Sequence, residues 1–289
     1  MTLRPRRSVL YVPGNNTRAI EKAVGLAADV IIIDLEDAVA PQLKTEARKY
    51  AASAIRSGAF AKKELVVRIN GLDTEEAAED LVVAAAADAV LVPKIDSAED
   101  IRRAEAGIGA VAEGPRPALW AMIETPKAVL NIASIAAAAT APGARLSCFV
   151  LGTNDLAKDT RVQMTASRLS LLPWISQTVL AARAYDLSVL DGVFNAFKDA
   201  DGFLAECRQG RGLGFDGKTL IHPNQVPVAN QVFGPTEAEI VEARAIIEAF
   251  AAPENRGRGV ITVDGRMVEL LHLAEAQRVM ALARATGMV

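Results

Sequence analysis

Eight short runs rich in Val, Ile and Leu, none broken by alternating polar residues, are the feature that most narrows what this chain can fold into. They are S-V-L-Y-V-P-G from Ser8, D-V-I-I-I-D-L-E-D from Asp29, E-L-V-V-R-I-N-G from Glu64, D-A-V-L-V-P-K-I from Asp88, A-L-W-A-M-I-E-T from Ala118, L-S-C-F-V-L-G-T-N-D from Leu146, S-V-L-D-G-V-F from Ser188 and F-D-G-K-T-L-I-H from Phe215. Strands that are apolar throughout are buried on both faces, as parallel strands covered by helices are. Their starts lie about thirty residues apart, the size of one βαβ unit.

The segments between the runs carry helix material: Thr17 to Ala27, Thr45 to Ser57, Thr74 to Ala87, Ala98 to Ala112, Lys127 to Ala139, Ser167 to Tyr185 and Asp201 to Gln209. Alanine patches there, such as Ala84 to Ala87, combine helix propensity with close packing. Eight strands alternating with helices predict an α/β fold, a (β/α)8 TIM barrel, over residues 1–233. From 234 to 289 the texture changes. Thr236-Glu237-Ala238-Glu239 is a capping box opening a helix to about Phe250. Pro253 to Gly259 reads as a turn, Val260 to Gly265 as a short hairpin and Met267 to Ala285 as a final amphipathic helix, together a C-terminal helical extension or lid.

With 289 residues, 51% hydrophobic and 23% charged, the chain has ample core material, and disorder is excluded as its general state. A formal charge of −3 gives no broad electrostatic reason to bind nucleic acid or anionic lipid. Cys148 and Cys207 stand far apart, so neither a disulfide framework nor a Cys-x-x-Cys site can be drawn, and cytoplasm is the expected compartment. The start M-T-L-R-P-R-R is basic, but the apolar stretch Val9 to Val12 is too short for a signal-peptide core. The uncharged run Ala128 to Ala144 is broken by Asn131, Pro142 and Gly143, so no membrane span is expected.

In such a barrel the reactive residues come from the C-terminal ends of the strands. Those ends carry Asp34, Glu36 and Asp37, then Arg68 and Asn70, Lys94, Glu124, Asp155 and Asp191. Any one of them is explained as a cap or a solvated charge; charges at six consecutive strand ends are not. Glu124 and Asp155, from successive strands, suit a hard divalent cation that leaves most coordination positions to water and substrate, which is the habit of Mg2+. His222 and His272 have no ligand spacing that would suit zinc. A buried Arg68 beside the metal would bind a carboxylate or carbonyl oxygen, so an anionic, oxygen-rich substrate is expected. Gly210-Arg211-Gly212-Leu213-Gly214 lacks the setting of a dinucleotide loop, and no Ser, His and Asp constellation appears.

Seven blocks in order, R-S-V-L-Y-V-P-G from Arg7, D-L-E-D-A-V-A-P from Asp34, V-R-I-N-G-L-D-T from Val67, V-P-K from Val92, M-I-E-T-P from Met122, L-G-T-N-D-L-A from Leu151 and G-F-D-G-K-T-L-I-H-P-N-Q-V from Gly214, resemble the citrate lyase beta-subunit-like family. That family includes malyl-CoA and citramalyl-CoA lyases and the citryl-thioester lyase subunit, Mg2+-dependent TIM barrels. The resemblance implies Glu124 and Asp155 as metal ligands, Glu124 and Arg68 against the substrate, and Arg68 stabilising an enolate. It implies Glu36 and Asp37 shaping the metal's water shell and Arg18 and Lys22 meeting CoA or carrier phosphates. It also implies a homo-oligomer, trimer or hexamer, in which the C-terminal lid packs over a neighbouring site and supplies an acidic catalytic acid/base. The usual lid pattern is Met-Ile-Asp or Leu-Val-Asp. Here Met267-Val268-Glu269 puts Glu where Asp is expected, and the extra methylene moves the carboxylate by about 1 Å.

The activity expected on these grounds is lysis of a 3-hydroxyacyl thioester of the malyl, citramalyl or citryl type, carried on CoA or an acyl carrier. The products are an acetyl thioester and a 2-oxo acid. A base such as Glu269 removes the hydroxyl proton, and Arg68 stabilises the enolate oxygen. The rivals are a thioester hydrolase using the same pocket and a non-catalytic or assembly-dependent citrate lyase-like subunit.

Overall fold

Each apolar run becomes a parallel strand in the computed structural model, which describes residues 4–289; the first three residues of the basic start lie outside it. The strands are β1 (Ser8–Pro13), β2 (Val30–Asp34), β3 (Glu64–Arg68), β4 (Ala89–Val92), β5 (Ala118–Ile123), β6 (Leu146–Leu151), β7 (Ser188–Asp191) and β8 (Gly217–Leu220). They pair in chain order, and Val9 opposite Thr219 joins β1 to β8, so the sheet closes into the expected (β/α)8 barrel.

Between the strands lie α1 (Thr17–Val24), α2 (Lys44–Arg56), α3 (Ala77–Ala84), α4 (Ala98–Val111), α5 (Pro126–Leu130), α6 (Ile132–Ala137), α7 (Thr153–Thr160), α8 (Leu172–Ala184), α9 (Ala200–Leu213) and α10 (Val226–Phe233). The continuous helix expected from Lys127 to Ala139 is interrupted at Asn131, whose Nδ2 donates to the Asp96 carbonyl at 2.9 Å. Two helices absent from the sequence reading, α7 and α10, have eight residues each. Two turns are too few to show an amphipathic period.

One face of the strands packs as a single cluster: Val9 on β1, Val30 and Ile32 on β2, Val66 on β3, Ala89 and Leu91 on β4, Trp120 and Met122 on β5, Cys148 and Val150 on β6, and Leu190 on β7. These positions fill the barrel. The alternate residues, Ile31 and Ile33 among them, are equally buried and face the helices, since successive strand side chains point to opposite faces.

The chain forms two compact units, Arg6–Asn230 and Gln231–Val289, the second taking in the described residues before Arg6. The division falls within α10, three residues before the boundary expected at 233. The second unit holds α11 (Glu237–Ala251), β9 (Val260–Val263), β10 (Arg266–Glu269) and α12 (Leu270–Ala285). Thr236 caps α11 with the expected capping box to Glu239. Ile240, Ala243, Ile246, Ile261, Val268, Ala276 and Met280 give this unit a core of its own.

One element differs from expectation here. Met267-Val268-Glu269 is strand, not the first turn of the last helix. Asp264 and Gly265, at φ 49° and 76°, make a tight hairpin that sets Val268 opposite Ile261. Glu269 therefore ends β10 and precedes α12, and its N–H donates to His272 Nδ1 at 3.0 Å. Among the described residues no helix is long and apolar enough to cross a membrane.

Candidate active site

Two-residue alternation carries the barrel's interior face directly into its C-terminal mouth. Counting two past the inward residues Ile32, Val66, Met122 and Val150 reaches Asp34, Arg68, Glu124 and Gly152. These four, with Tyr11, Pro13, Asp37, Asp155, Asn195, Thr219 and others, line a cavity of about 410 Å³. The register that buries an apolar stripe below thus brings charged groups together above.

Arg68 is the most constrained of them. Its Nε and Nη2 donate to Asp34 Oδ1 and Oδ2 at 2.7 and 2.6 Å, a bidentate pair between side chains that are almost wholly buried. Its Nη1 lies 2.9 Å from Glu36 Oε2 and 3.5 Å from Asp37 Oδ2, and the guanidinium sits 5.0 Å from the Tyr11 ring centroid. Burial works against its charge, but Asp34 outweighs that and holds Arg68 firmly protonated. Asp34 has a second task, accepting from the N–H groups of Glu36 at 2.9 Å and Ala38 at 3.1 Å. It fixes both the arginine and the acidic loop that follows β2.

Glu124 is 2% exposed, and its Oε1 accepts from the Lys94 N–H at 2.7 Å. Gly152 makes room for it: a Cβ at 152 would fall against Glu124 Cβ and 2.8 Å from Glu124 Oε2. Burial, then the nearby Glu36 carboxylate and Asp155, pushes the Glu124 carboxyl up to about 7. Glu36 is also raised, by burial first, with Arg68 opposing. Asp155 stands in the first turn of α7, half-buried, with no hydrogen bond or ion pair among the described residues.

Crowded acids with unengaged oxygens are the environment that a hard divalent cation relieves. Glu36 Oε2 is buried with the Arg68 guanidinium 2.9 Å away but no aligned hydrogen-bond donor, and among the described residues Glu124 Oε2 accepts no hydrogen bond. Among the described residues no group of three or more His, Cys, Asp or Glu side chains forms a cage. Two carboxylates, Glu124 and Asp155, leave most of a Mg2+ shell to water and substrate, so the donor set fits that ion.

The structure brings together Glu36, Asp37, Arg68, Glu124 and Asp155 in one unit. Arg18 and Lys22 are exposed on α1, one turn apart, and do not line the cavity. Glu269 belongs to the other unit.

Asp191 and Asn70, two of the strand-end polar residues, have other work. Leu190 faces inward, so Asp191 faces the helices, where it pairs with Arg168 at 2.7 Å and Lys218 at 3.0 Å, all fully buried. Asn70 accepts from Lys44 Nζ at 2.7 Å and donates to the Leu35 carbonyl and to Asp80.

Sequence reasoning missed three contributors. Lys44 is buried, and its Nζ donates to the Leu35 and Glu36 carbonyls at 2.7 Å each, shaping the acidic loop from behind. Gly152 and the backbone of Lys94 are the others. The G-T-N-D and V-P-K blocks contained both, but only the pairing of β4 with β5 and of β5 with β6 brings them to Glu124.

Comparison with known proteins agrees with this geometry. Residues 7–223 match the family model described as HpcH/HpaI aldolase/citrate lyase. A (3S)-malyl-CoA thioesterase of Cereibacter sphaeroides is 48% identical over 284 residues, 97% of this chain and 95% of the relative. The citrate lyase subunit beta of Leuconostoc mesenteroides subsp. cremoris is 36% identical, over 99% of this chain and 96% of the relative. Among solved structures, the CitE protein of Mycobacterium tuberculosis in complex with magnesium, acetoacetate and coenzyme A is similar at a TM-score of 0.76 and 28% identity, covering 99% of this chain and all of that one. With a barrel that closes as expected, an acid-rich mouth and a match over most of its length, this chain belongs to the HpcH/HpaI aldolase/citrate lyase family.

Proposed function

We propose that this chain is a Mg2+-dependent hydrolase of a CoA thioester whose acyl group bears a 3-hydroxyl and a second carboxylate, with malyl-CoA as reference substrate. The observation that carries this reading is one cavity holding Glu124 and Asp155, with oxygens left unengaged, beside the fixed guanidinium of Arg68. A cation and an arginine facing one pocket suit an oxygen-rich anion. The malyl-CoA thioesterase relatives at 48% identity favour hydrolysis over the carbon–carbon cleavage first expected from the sequence.

Magnesium held by Glu124 and Asp155, with Glu36 and Asp37 ordering its water, would supply Lewis acidity toward the acyl oxygens. Arg68, aimed by Asp34, stabilises the negative charge that develops on the thioester carbonyl oxygen. Glu269, from a neighbouring copy in a trimer or hexamer, takes a proton from water as its oxygen bonds to the carbonyl carbon. The carbon–sulfur bond then breaks, and that proton passes to sulfur, giving CoA and the hydroxy diacid. Arg18 and Lys22 hold the CoA phosphates.

The second reading is a lyase, which the citrate lyase beta-subunit relative favours. There Glu269 takes the 3-hydroxyl proton instead and Arg68 stabilises the enolate. Product analysis decides between them. Purified chain with malyl-CoA and Mg2+ is expected to give equal amounts of free CoA and malate, abolished by EDTA. Acetyl-CoA and glyoxylate in equal amounts would overturn the hydrolase reading, and turnover that requires added subunits would support an assembly-dependent role.

Glu124 makes metal binding pH-dependent. A carboxyl raised from 4.5 to about 7 in the folded, metal-free protein favours the folded state below pH 4.5, and that contribution is lost as pH rises through 7. Metal needs the ionised form, so its affinity moves the opposite way. Mg2+ measured by calorimetry is expected to bind about tenfold more weakly at pH 6 than at pH 8, with proton release at pH 6. Equal affinity at both would remove Glu124 as the titrating ligand.

A further inference from the structure

Lys94 has φ 53°, in the left-handed region that a residue with a Cβ enters at a cost. Three of the other four described non-glycine residues in that region end or follow a helix or turn a hairpin, and the fourth, Arg168 at φ 51°, lies in the turns before α8, held by its buried pair with Asp191. Arg161 ends α7, Asp264 turns the β9–β10 hairpin, and Asp186 follows the end of α8. Lys94 ends no helix and turns no hairpin; it lies two residues past β4, after Pro93. Strain of this kind persists where the surroundings hold it and is concentrated at functional sites.

What the conformation achieves is specific. It turns the Lys94 N–H toward Glu124 Oε1, at 2.7 Å. Glu124 is thereby held from one side by a donor and given space on another by the missing side chain of Gly152. The Lys94 ammonium makes a looser contact, 3.4 Å from Glu36 Oε1, and its side chain is 57% exposed. A cation there would also repel a metal ion, so its presence does not account for binding one.

We propose that Lys94 is a positioning residue for Glu124 that acts through its backbone N–H, presented by the left-handed turn, and not through its ammonium. The proposal rests on the reading of Glu124 as a metal ligand only for its affinity readout. Lys94→Ala and Lys94→Gly remove the ammonium but keep the N–H; alanine bears the same backbone cost as lysine in the turn, and glycine relieves it. Lys94→Val does not tolerate the turn, because a β-branched side chain is a true outlier at positive φ. Mg2+ affinity is expected to stay within threefold of wild type, or to tighten, in the first two and to weaken at least tenfold in the third.

A tenfold loss in Lys94→Ala and Lys94→Gly, or wild-type affinity in Lys94→Val, would overturn the proposal. Amide hydrogen exchange in the metal-free protein tests the bond even if Lys94→Val does not fold: the Lys94 amide is expected to exchange at least tenfold faster in Glu124→Ala than in wild type, and equal rates would overturn it. Mg2+ binding that survives Glu124→Ala would instead sink the metal reading, leaving the exchange result to judge Lys94 alone.

Discussion

Gly152→Ala is expected to lower kcat/KM by about a hundredfold or more while the barrel remains folded. The new Cβ would meet Glu124 Cβ, stand 2.8 Å from Glu124 Oε2 and lie 3.4 Å from Met122 Cγ. Met122 is packed in the barrel core and Glu124 Cβ is tied to the backbone just past β5, so the strain displaces that segment and carries the Glu124 carboxylate with it. A shift of about 1 Å in a positioned catalytic group costs about a hundredfold, and overpacking of this size costs about 1–3 kcal/mol of stability. Mg2+ affinity should fall with kcat/KM, since the same carboxylate serves both. Gly212→Ala is the control, because its added Cβ meets nothing within 4 Å and it lies in α9, where alanine is the better helix former. Steady-state kinetics and thermal unfolding of the pair check the expectation. Wild-type turnover in Gly152→Ala would show that Glu124 does not depend on this gap.

Much of the barrel was legible because each strand is buried on both faces, which leaves a continuous apolar run in place of an alternating one. All eight runs became strands, and the longer helices followed within a few residues. The short helices α7 and α10 were not legible, because eight residues, three of them buried in α7 and four in α10, fall short of the window over which a helical period can be told from a chance pattern. Met267 to Glu269 misled for a related reason. Its apolar content fits a helix or a strand, and only the turn at Asp264-Gly265 decides between them.

At the mouth, identity was readable and direction was not. Charges at strand ends marked Arg68, Glu124 and Asp155, but Asp191 bears the same signature and belongs to a buried cluster with Arg168 and Lys218 on the outer face. Inward and outward positions differ by one residue, and the phase is set by which apolar residues fill the barrel. Leu190 inward sends Asp191 outward; Val66 inward sends Arg68 to the cavity. Lys44 and Gly152 carry no motif of their own kind. One is a lysine buried by three acceptors, and the other matters for the side chain it lacks.

Arg68→Leu should be costly twice over, and the two costs should separate. Removing the guanidinium leaves Asp34, 1% exposed, without the partner that occupies both its oxygens. Breaking a buried pair from one side typically costs about 3–5 kcal/mol. Loss of a donor aimed at developing negative charge typically costs about 10²–10³ in turnover. Adding Asp34→Leu removes the stranded carboxylate, so the double variant should recover part of the lost stability. The rest stays lost, because the Glu36 and Ala38 N–H groups lose their acceptor and Glu36 loses its Arg68 partner. It should not recover activity, because the acidic loop also loses the acceptors for the Glu36 and Ala38 N–H groups and the substrate still lacks its arginine. Arg68→Lys keeps the charge but not the two-pronged geometry, so intermediate stability and low turnover are expected. Chemical denaturation and kinetics on the four proteins measure both quantities. An Arg68→Leu variant as stable as wild type would show that the buried Asp34 and Arg68 pair does not hold the fold, and a double variant that regains turnover would show that the oxyanion is stabilised elsewhere.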